Sequence, residues 1–462
     1  MATFLLVGIG CGLALTVIVR PFDGVDETSH FYRSYQVSEG RLVPIRTDDD
    51  SFRGGGACVP EELAHRVREE QLENLGQLLD VPVDLDDVTT DDLDRCPEDP
   101  ADDREVFVNF ATFASPLPYL PQASAIAVVR GLGGSAVMML YAARLAGLAV
   151  YLALVAVAIR RAPRIGWVLC VVALLPLALF EAGASVSHDV FNLAIVLLVV
   201  SSAVRMIDPE RRAGLRSMII EASALSAVLA FCKPTYAIVS LAYLLPILAE
   251  PRRRELWWLA LPVGGALVAS LVWNQAVEHL WASDAELFGI MTDPALQRRE
   301  LLHQPWDFVT ATARAMVRGV PNWLRDLFGA NPRFSNEYPR YVEWWRPVQL
   351  VALVLFGAVA VAPGAARRLP LRASQRVLLG AICVLGVLVV FVAYWIYWTA
   401  PGSDAIDGVQ LRYFLPLLSV AAIAVIPTRA GERLWRVVPV PPGLVLAGIE
   451  VVVVVSAARS VT

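Results

Sequence analysis

Lysine is all but missing from this chain: of 39 basic side chains, 38 are arginine and Lys233 alone is lysine. Charge of either sign is scarce as well. Asp, Glu, Lys and Arg make up 18% of the sequence, against about a quarter in soluble domains, too little to wrap a chain of this length in a solvated surface. A secretory n-region is lacking, because the first apolar run, Phe4 to Val19, has no basic residue before it and is followed by Arg20-Pro21 instead of a small-residue cleavage site. It reads as a retained anchor. No repeat of fixed period is visible, which argues against a solenoid. Nor is there a basic surplus. The formal charge is −5, and residues 48–105 hold 20 acidic against 5 basic side chains, a local balance of −15, which excludes nucleic acid as a partner of that segment.

What is present in quantity is apolar surface. Hydrophobic residues make up 56% of the chain and the mean hydropathy is +0.55. Runs of roughly 16 to 25 apolar residues suit spanning helices, whereas a spanning strand needs only about ten residues of alternating character. Helices also satisfy their own backbone polar groups, as hydrocarbon demands. The fold class expected is therefore an all-α polytopic membrane protein of about eleven transmembrane helices. The runs are 4–19, 134–159, 165–181, 188–204, 217–231, 235–249, 256–277, 347–363, 377–399, 411–427 and 437–457.

Arginine clusters at 160–164, 205–216, 252–254, 367–376 and 429–436 all fall on one side of this arrangement. By the positive-inside rule that side is the cytoplasm, as is the N-terminus. This requires that the stretch from Pro116 to Val129, interrupted by Pro116, Pro118 and Pro121, not cross but lie as an interfacial or re-entrant helix on the outer face. The layout expected is an anchor (1–20), a large outer loop (21–133) with its acidic insert (48–105), a transmembrane core (134–277), a second outer loop (278–346) and C-terminal spans (347–462). The insert should form short helices with flexible joints or be partly disordered. The second outer loop, with Trp306, Trp323, Trp344 and Trp345, suits an amphipathic cap at headgroup level. Cys11, Cys170, Cys232 and Cys383 fall in or beside apolar runs and need no function. Cys58 and Cys96 are the pair in the large polar loop, where an oxidising compartment would allow a disulfide.

Polar clusters stand at the mouths of these apolar helices. Asp23, Asp26, Glu27, His30 and Arg33 follow the first span. A helix starting near Asp26 would align acid, imidazole and guanidinium along one stripe, fit for a general base or, through Asp26 and His30, for a divalent cation such as Mg or Mn. The alternative is an ordinary helix start with acids in its first turn. Glu181 to Asp189, including Ser187 and His188, form a second cluster, either a site or a capped helix start. Lys233-Pro234-Thr235-Tyr236 and Gln410-Leu411-Arg412-Tyr413 each place a cation where the positive-inside rule would not. Snorkelling to the interface would also explain those two.

The motifs at 21–40, 233–236 and 408–416 together resemble the bacterial membrane proteins of domain-of-unknown-function family 2142, over nearly the whole chain. That layout is similar to GT-C glycosyltransferases, although Leu411 stands where glycine is expected and Gly24-Val25 separate Asp23 from Asp26. The resemblance implies a GT-C-like architecture in the bacterial plasma membrane. It also implies an inverting transfer of sugar from a polyprenyl phosphate to an envelope glycan, glycolipid or protein on the extracytoplasmic face. Asp26 or Glu27 would be the base and Asp189 a second acid. Asp23, His30, Arg33, His188, Lys233, Tyr236, Gln410, Arg412 and Tyr413 would line the substrate site. A transporter or flippase, or a non-catalytic subunit of an envelope-polymer assembly, are the rival readings; Glu221, nearer the inner half, favours transport.

Overall fold

The structure, a computed structural model, describes residues 1–24, 26–43, 45–48, 53–79, 104–108, 111, 114–277, 292–326, 371–406, 408–425 and 448. The expected spans at 347–363 and 437–457 (but for residue 448), the arginines at 429–436, and Trp344, Trp345 and Cys96 lie outside the described residues.

Helix α1 (Ala2–Ile18) is followed by a turn and α2 (Glu27–Ser38). Strands β1 (Ile45–Asp48), β2 (Arg53–Pro60) and β3 (Arg104–Val108) pair antiparallel in that order, with α3 (Glu61–Leu79) between the last two. The acidic insert thus contains a sheet, which corrects the all-helical expectation. The three consecutive glycines Gly54, Gly55 and Gly56 sit in β2, and glycine is depleted from strands, so the pattern gave no strand signal. Cys58, in β2, is disulfide-bonded.

Next come α4 (Leu120–Gly131), α5 (Ala136–Arg161), α6 (Gly166–Ala173), α7 (Pro176–Ala184), α8 (His188–Ile207) and α9 (Leu215–Ala230). A 3₁₀ segment (Pro234–Leu244) runs into α10 (Leu245–Ala249), and another (Arg254–Leu259) into α11 (Ala260–Val277). Beyond these lie α12 (Pro294–His303), α13 (Pro305–Asp326), α14 (Ala373–Tyr397) and α15 (Leu415–Val425), the last opened by a 3₁₀ turn (Leu411–Phe414).

Among the described residues four helices are long and apolar enough to cross a membrane: α5, α8, the segment Arg254–Val277, and α14. The pair α6 and α7 makes a fifth if counted as one span. The expected 165–181 helix is broken there, with a bend of 61°, because Pro176 has no N–H to donate and its ring clashes with the preceding turn. Shorter apolar helices are Ala2–Ile18, Pro234–Ala249 and Leu411–Val425.

The bundle is built around α8, buried along most of its length between α5, α9, α15 and the 234–244 segment. Helices α1 and α7 approach closely: a Cβ on Gly183 would stand 2.5 Å from the Gly12 carbonyl oxygen, and the Thr16 hydroxyl reaches both carbonyls, at 2.9 and 2.7 Å. Leu261, Val268, Leu271 and Val272 on α11, with Val377, Val384 and Leu388 on α14, remain exposed, as lipid-facing stripes do. Helix α13 has three faces. Phe308, Ala311 and Ala315 are buried, Arg314 and Arg318 pair with Asp404, and Trp306, Val309, Val317 and Val320 are exposed.

Four of the arginine loops meet at one end of the bundle. Arg161 and Arg205 both pair with Glu221, which also accepts from Ser202; Arg164 pairs with Asp208, and Arg212 and Arg253 with Glu250. Arg372 reaches the Leu248 carbonyl. In cells, reporter fusions after Arg164, Arg212, Arg254 and Arg372 should therefore all report one compartment and a fusion at residue 75 the other, and the positive-inside rule makes the first the cytoplasm. A cytoplasmic signal from residue 75 would overturn the orientation.

Candidate functional site

At the opposite end from the arginine loops, the turn between α1 and α2 is strained. Phe22 and Asp26 are non-glycine residues at φ 60° and 54°, a conformation that costs of order 1–3 kcal/mol and persists only where the surroundings impose it. Gly24 sits within 2.8 Å of the Ala184 carbonyl, measured to where its Cβ would be, so no larger residue fits.

What imposes this turn is Glu27, fully buried against Arg144 of α5. Arg144 Nε donates to Glu27 Oε1 at 2.7 Å and Nη2 to Oε2 at 2.6 Å. The Val186 and Gly24 amides donate to the same oxygens at 3.0 and 3.2 Å. The remaining guanidinium N–H groups donate to the Thr16, Val19 and Arg20 carbonyls at 3.1, 2.7 and 2.9 Å, the orphan acceptors at the end of α1. Glu27 is thereby saturated. It holds the site, its four acceptor positions already taken, and of the two acids expected as base Asp26 is the one left partly exposed.

Asp26 is the N-cap residue of α2, but its side chain makes no cap bond; it turns to Arg412, with which it is hydrogen-bonded. Burial pushes its pKa up, and the charge and hydrogen bond of Arg412 more than offset this, leaving the carboxyl below its usual value. Arg412 is nearly enclosed, whereas Asp26 keeps 30% of its side chain exposed. Arg412 also faces Glu181 Oε1 and Asp189 Oδ2, each at 3.7 Å. Lys233 lies 3.5 Å from Asp189 Oδ1 and 3.8 Å from the centre of the Tyr413 ring, with its side chain 25% exposed. Ser187, not Asp189, caps α8 by accepting from the Asp189 amide at 3.1 Å, which leaves the Asp189 carboxylate turned to the two cations. Both Glu181 oxygens lack a hydrogen-bond partner among the described residues.

Behind this charged cluster three rings meet. Tyr119 Oη stands 2.7 Å from His30 Nδ1 and 2.8 Å from His188 Nδ1, the two Nδ1 atoms are 3.4 Å apart, and His188 Nε2 is 3.5 Å from Asp189 Oδ1. Burial drives the His30 pKa down from 6.5 to about 4 against the pull of Asp26 and Asp189, and drives the Tyr119 phenol well up.

Asp26, His30, His188, Asp189, Lys233, Arg412 and Tyr413, expected from four separate motifs, are thus one cluster. Tyr236 touches it through its hydroxyl, which donates to the Tyr413 carbonyl at 3.1 Å. Arg33 makes no hydrogen bond to the cluster, its guanidinium donating to Gln36 at 2.5 Å and to the Leu42 and Ala114 carbonyls at 2.8 and 2.9 Å, but its charge still bears on Tyr119. Gln410 is half-buried at the edge as an N-cap, and Asp23 is half-buried in the turn, its amide donating to the Arg20 carbonyl. Two residues were missed, Tyr119 and Arg144, and Glu181, named in the second cluster, was given no role of its own. Arg144 had a signal, being the only charge between the start of α5 and its terminal arginines, since an ionisable residue inside an apolar helix is a suspect by default. Tyr119 had none, hidden in a proline-rich stretch. Among the described residues no group of three or more His, Cys, Asp or Glu is disposed to hold a metal ion; of the pair expected for a cation, His30 Nδ1 faces Tyr119 and Asp26 faces Arg412.

Fold and site together define a helical membrane protein that gathers acids and cations at one end of its bundle. The chain belongs to the family described as predicted membrane protein (DUF2142), whose model matches residues 9–421. No curated protein and no solved structure matches it.

Breaking the clamp leaves a buried charge alone, so Glu27→Gln and Arg144→Leu should each destabilise the protein by about 3–5 kcal/mol, and the double apolar replacement by less than the sum. Denaturant unfolding in detergent measures this. The depressed pKa of His30 makes a second expectation: the unfolded chain takes up its proton near 6.5 and the folded one near 4, so its contribution is present above 6.5 and is lost as pH falls toward 4. The groups facing it are Asp26, Tyr119, His188, Asp189, Lys233 and Arg412. The midpoint temperature of wild type should fall across that window more steeply than that of His30→Gln; equal slopes would refute the assignment.

Proposed function

We propose that this protein is an inverting glycosyltransferase of GT-C type, taking a sugar from a polyprenyl-phosphate carrier and delivering it to a hydroxyl of an envelope glycan, glycolipid or protein outside the plasma membrane. The observation that carries this reading is the meeting of Asp26, Asp189, Lys233 and Arg412, from distant parts of the chain, at the end of the bundle away from the arginine loops. Such a position is level with lipid headgroups, where a carrier presents its phosphate.

In this reading Lys233 and Arg412 hold the donor phosphate. Their contacts to Asp189, a long hydrogen bond from Lys233 at 3.5 Å and an ion pair with Arg412 at 3.7 Å, are exchangeable for phosphate oxygens, which make stronger charge-assisted bonds. Asp26, the most exposed acid of the cluster, deprotonates the acceptor hydroxyl as it attacks, while the cations stabilise charge on the departing phosphate. Lys233 supplies a compact, strongly hydrated ammonium in a protein that otherwise uses arginine. The likeness to GT-C enzymes is an analogy of layout and carries no residue role by itself.

A lipid-linked-substrate flippase is the second reading, favoured by the break between α6 and α7, since discontinuous helices mark transport sites. Glu221 no longer argues for it, being held by Arg161, Arg205 and Ser202.

The test is sugar transfer by purified protein in nanodiscs with polyprenyl-phosphate sugars, beside the lipid-linked sugars and surface glycans of cells with and without the protein. Asp26→Asn should lower transfer by about 10²- to 10⁴-fold. Lys233→Ala and Arg412→Ala should weaken donor use by about 1.5–3 kcal/mol, and Lys233→Arg should not restore it. Donor dependence unchanged in all three cation variants would reject the phosphate assignment, and movement of intact donor across vesicles without transfer would select the flippase.

A further inference from the structure

The three rings behind the charged cluster impose a rule on their protons. Tyr119 Oη has one hydrogen to give and lies within hydrogen-bond distance of two imidazole nitrogens, His30 Nδ1 and His188 Nδ1. It must donate to one and accept from the other. The 3.4 Å between those two nitrogens agrees with this, because it has room for one proton and not for two. All three rings are buried, so water does not relax the requirement.

Asp189 decides which way the order runs. His188 Nε2 faces its Oδ1 at 3.5 Å, and a carboxylate selects the tautomer that presents an N–H to it. His188 then carries its proton on Nε2 and has a lone pair on Nδ1, which accepts from Tyr119. Tyr119 in turn accepts from His30, whose proton is on Nδ1 and whose lone pair is on Nε2. His30 stands one helical turn beyond Asp26, its amide donating to the Asp26 carbonyl at 3.1 Å.

We propose that His30, Tyr119 and His188 form a proton relay of fixed order that ends on Asp189. A proton arriving at His30 Nε2 displaces the one on His30 Nδ1 to the Tyr119 oxygen, the Tyr119 hydroxyl proton passes to His188 Nδ1, and the His188 Nε2 proton passes to the Asp189 carboxylate as that pair closes from 3.5 Å to hydrogen-bond length. One N–H or O–H bond forms for each that breaks: Asp189 ends as a neutral acid, both imidazoles end in the opposite tautomer with the Tyr119 hydroxyl turned to His30, and return of the three protons after Asp189 gives up its own resets the order. Tyr119 gives and takes in the same event, so no buried tyrosinate is formed. The inference rests on the transfer reading for its use: the relay carries a proton released at the reacting end of the cluster away to Asp189, which can receive it once Lys233 and Arg412 have turned to the donor phosphate. In this scheme Tyr119 is a positioning residue that touches neither substrate nor donor.

The order of the protons can be read without any activity. The chain has five histidines, and solid-state NMR of protein labelled with ¹⁵N-histidine, in lipid bilayers at neutral pH, resolves which ring nitrogen of each is protonated. His30→Gln and His188→Asn assign the signals. The expected result is Nδ1–H at His30 and Nε2–H at His188, with both sites becoming tautomer mixtures in Asp189→Ala and His188 Nδ1 losing its donor in Tyr119→Phe. The opposite order in wild type, or an order unchanged in Asp189→Ala, would overturn the relay. Transfer assays form the second arm. Tyr119→Phe should slow transfer by about tenfold or more with KM for donor unchanged, and should lose the solvent isotope effect of the wild type. Normal rate and isotope effect in that variant would also overturn it, whereas absence of transfer in wild type with the expected tautomers would fault the transfer reading and leave the relay standing.

Discussion

The Glu27–Arg144 pair is the interaction on which the rest of the site depends. A buried ion pair is tolerable only when its remaining donors and acceptors are satisfied, and here all of them are: Arg144 closes the end of α1, while Glu27 holds the start of α2 and the amide of Val186 before α8. Four elements are thereby fixed to one point. The turn that carries Asp26 between α1 and α2 has little freedom left, and its two positive φ angles are the cost of that closure.

With the frame held, the charged cluster can be loose. Glu27 meets its partners at 2.6 to 3.2 Å, whereas Asp189 and Glu181 face Arg412 at 3.7 Å and Lys233 stands 3.5 Å from Asp189. Buried acids left this far from their counter-ions, with both Glu181 oxygens unbonded among the described residues, gain little from the folded state alone. The division is between a clamp optimised for the protein and a cluster whose polar capacity is left for something else. The elements that bring these groups in are helix ends, which aim side chains more reproducibly than loops do.

How far the sequence disclosed this follows from what each residue is doing. Asp26, His30, Asp189, Lys233 and Arg412 were legible because charge at the mouth of an apolar helix has few other reasons to exist. Asp26 and Glu27 could not be told apart in sequence because a clamp and a base look alike: both are acids at the start of a helix, and only the partner of Glu27 on α5, over a hundred residues away, separates them. Tyr119 could not be found, since its role lies in two contacts from distant segments. The sheet was hidden by glycine and by acidic composition, and the broken span at Pro176 by hydropathy, which averages over a bend. Of the eleven apolar stretches expected, the described residues contain four long spanning helices, a bent fifth and shorter apolar segments.

At the far end of the bundle, Glu221 on α9 holds Arg161 at the end of α5 and Arg205 with Ser202 on α8. These three helices are laced to one another by side chains as well as by the peptide that joins them. A cut in the connection 208–214 would therefore leave α8 and α9 still tied through the same carboxylate.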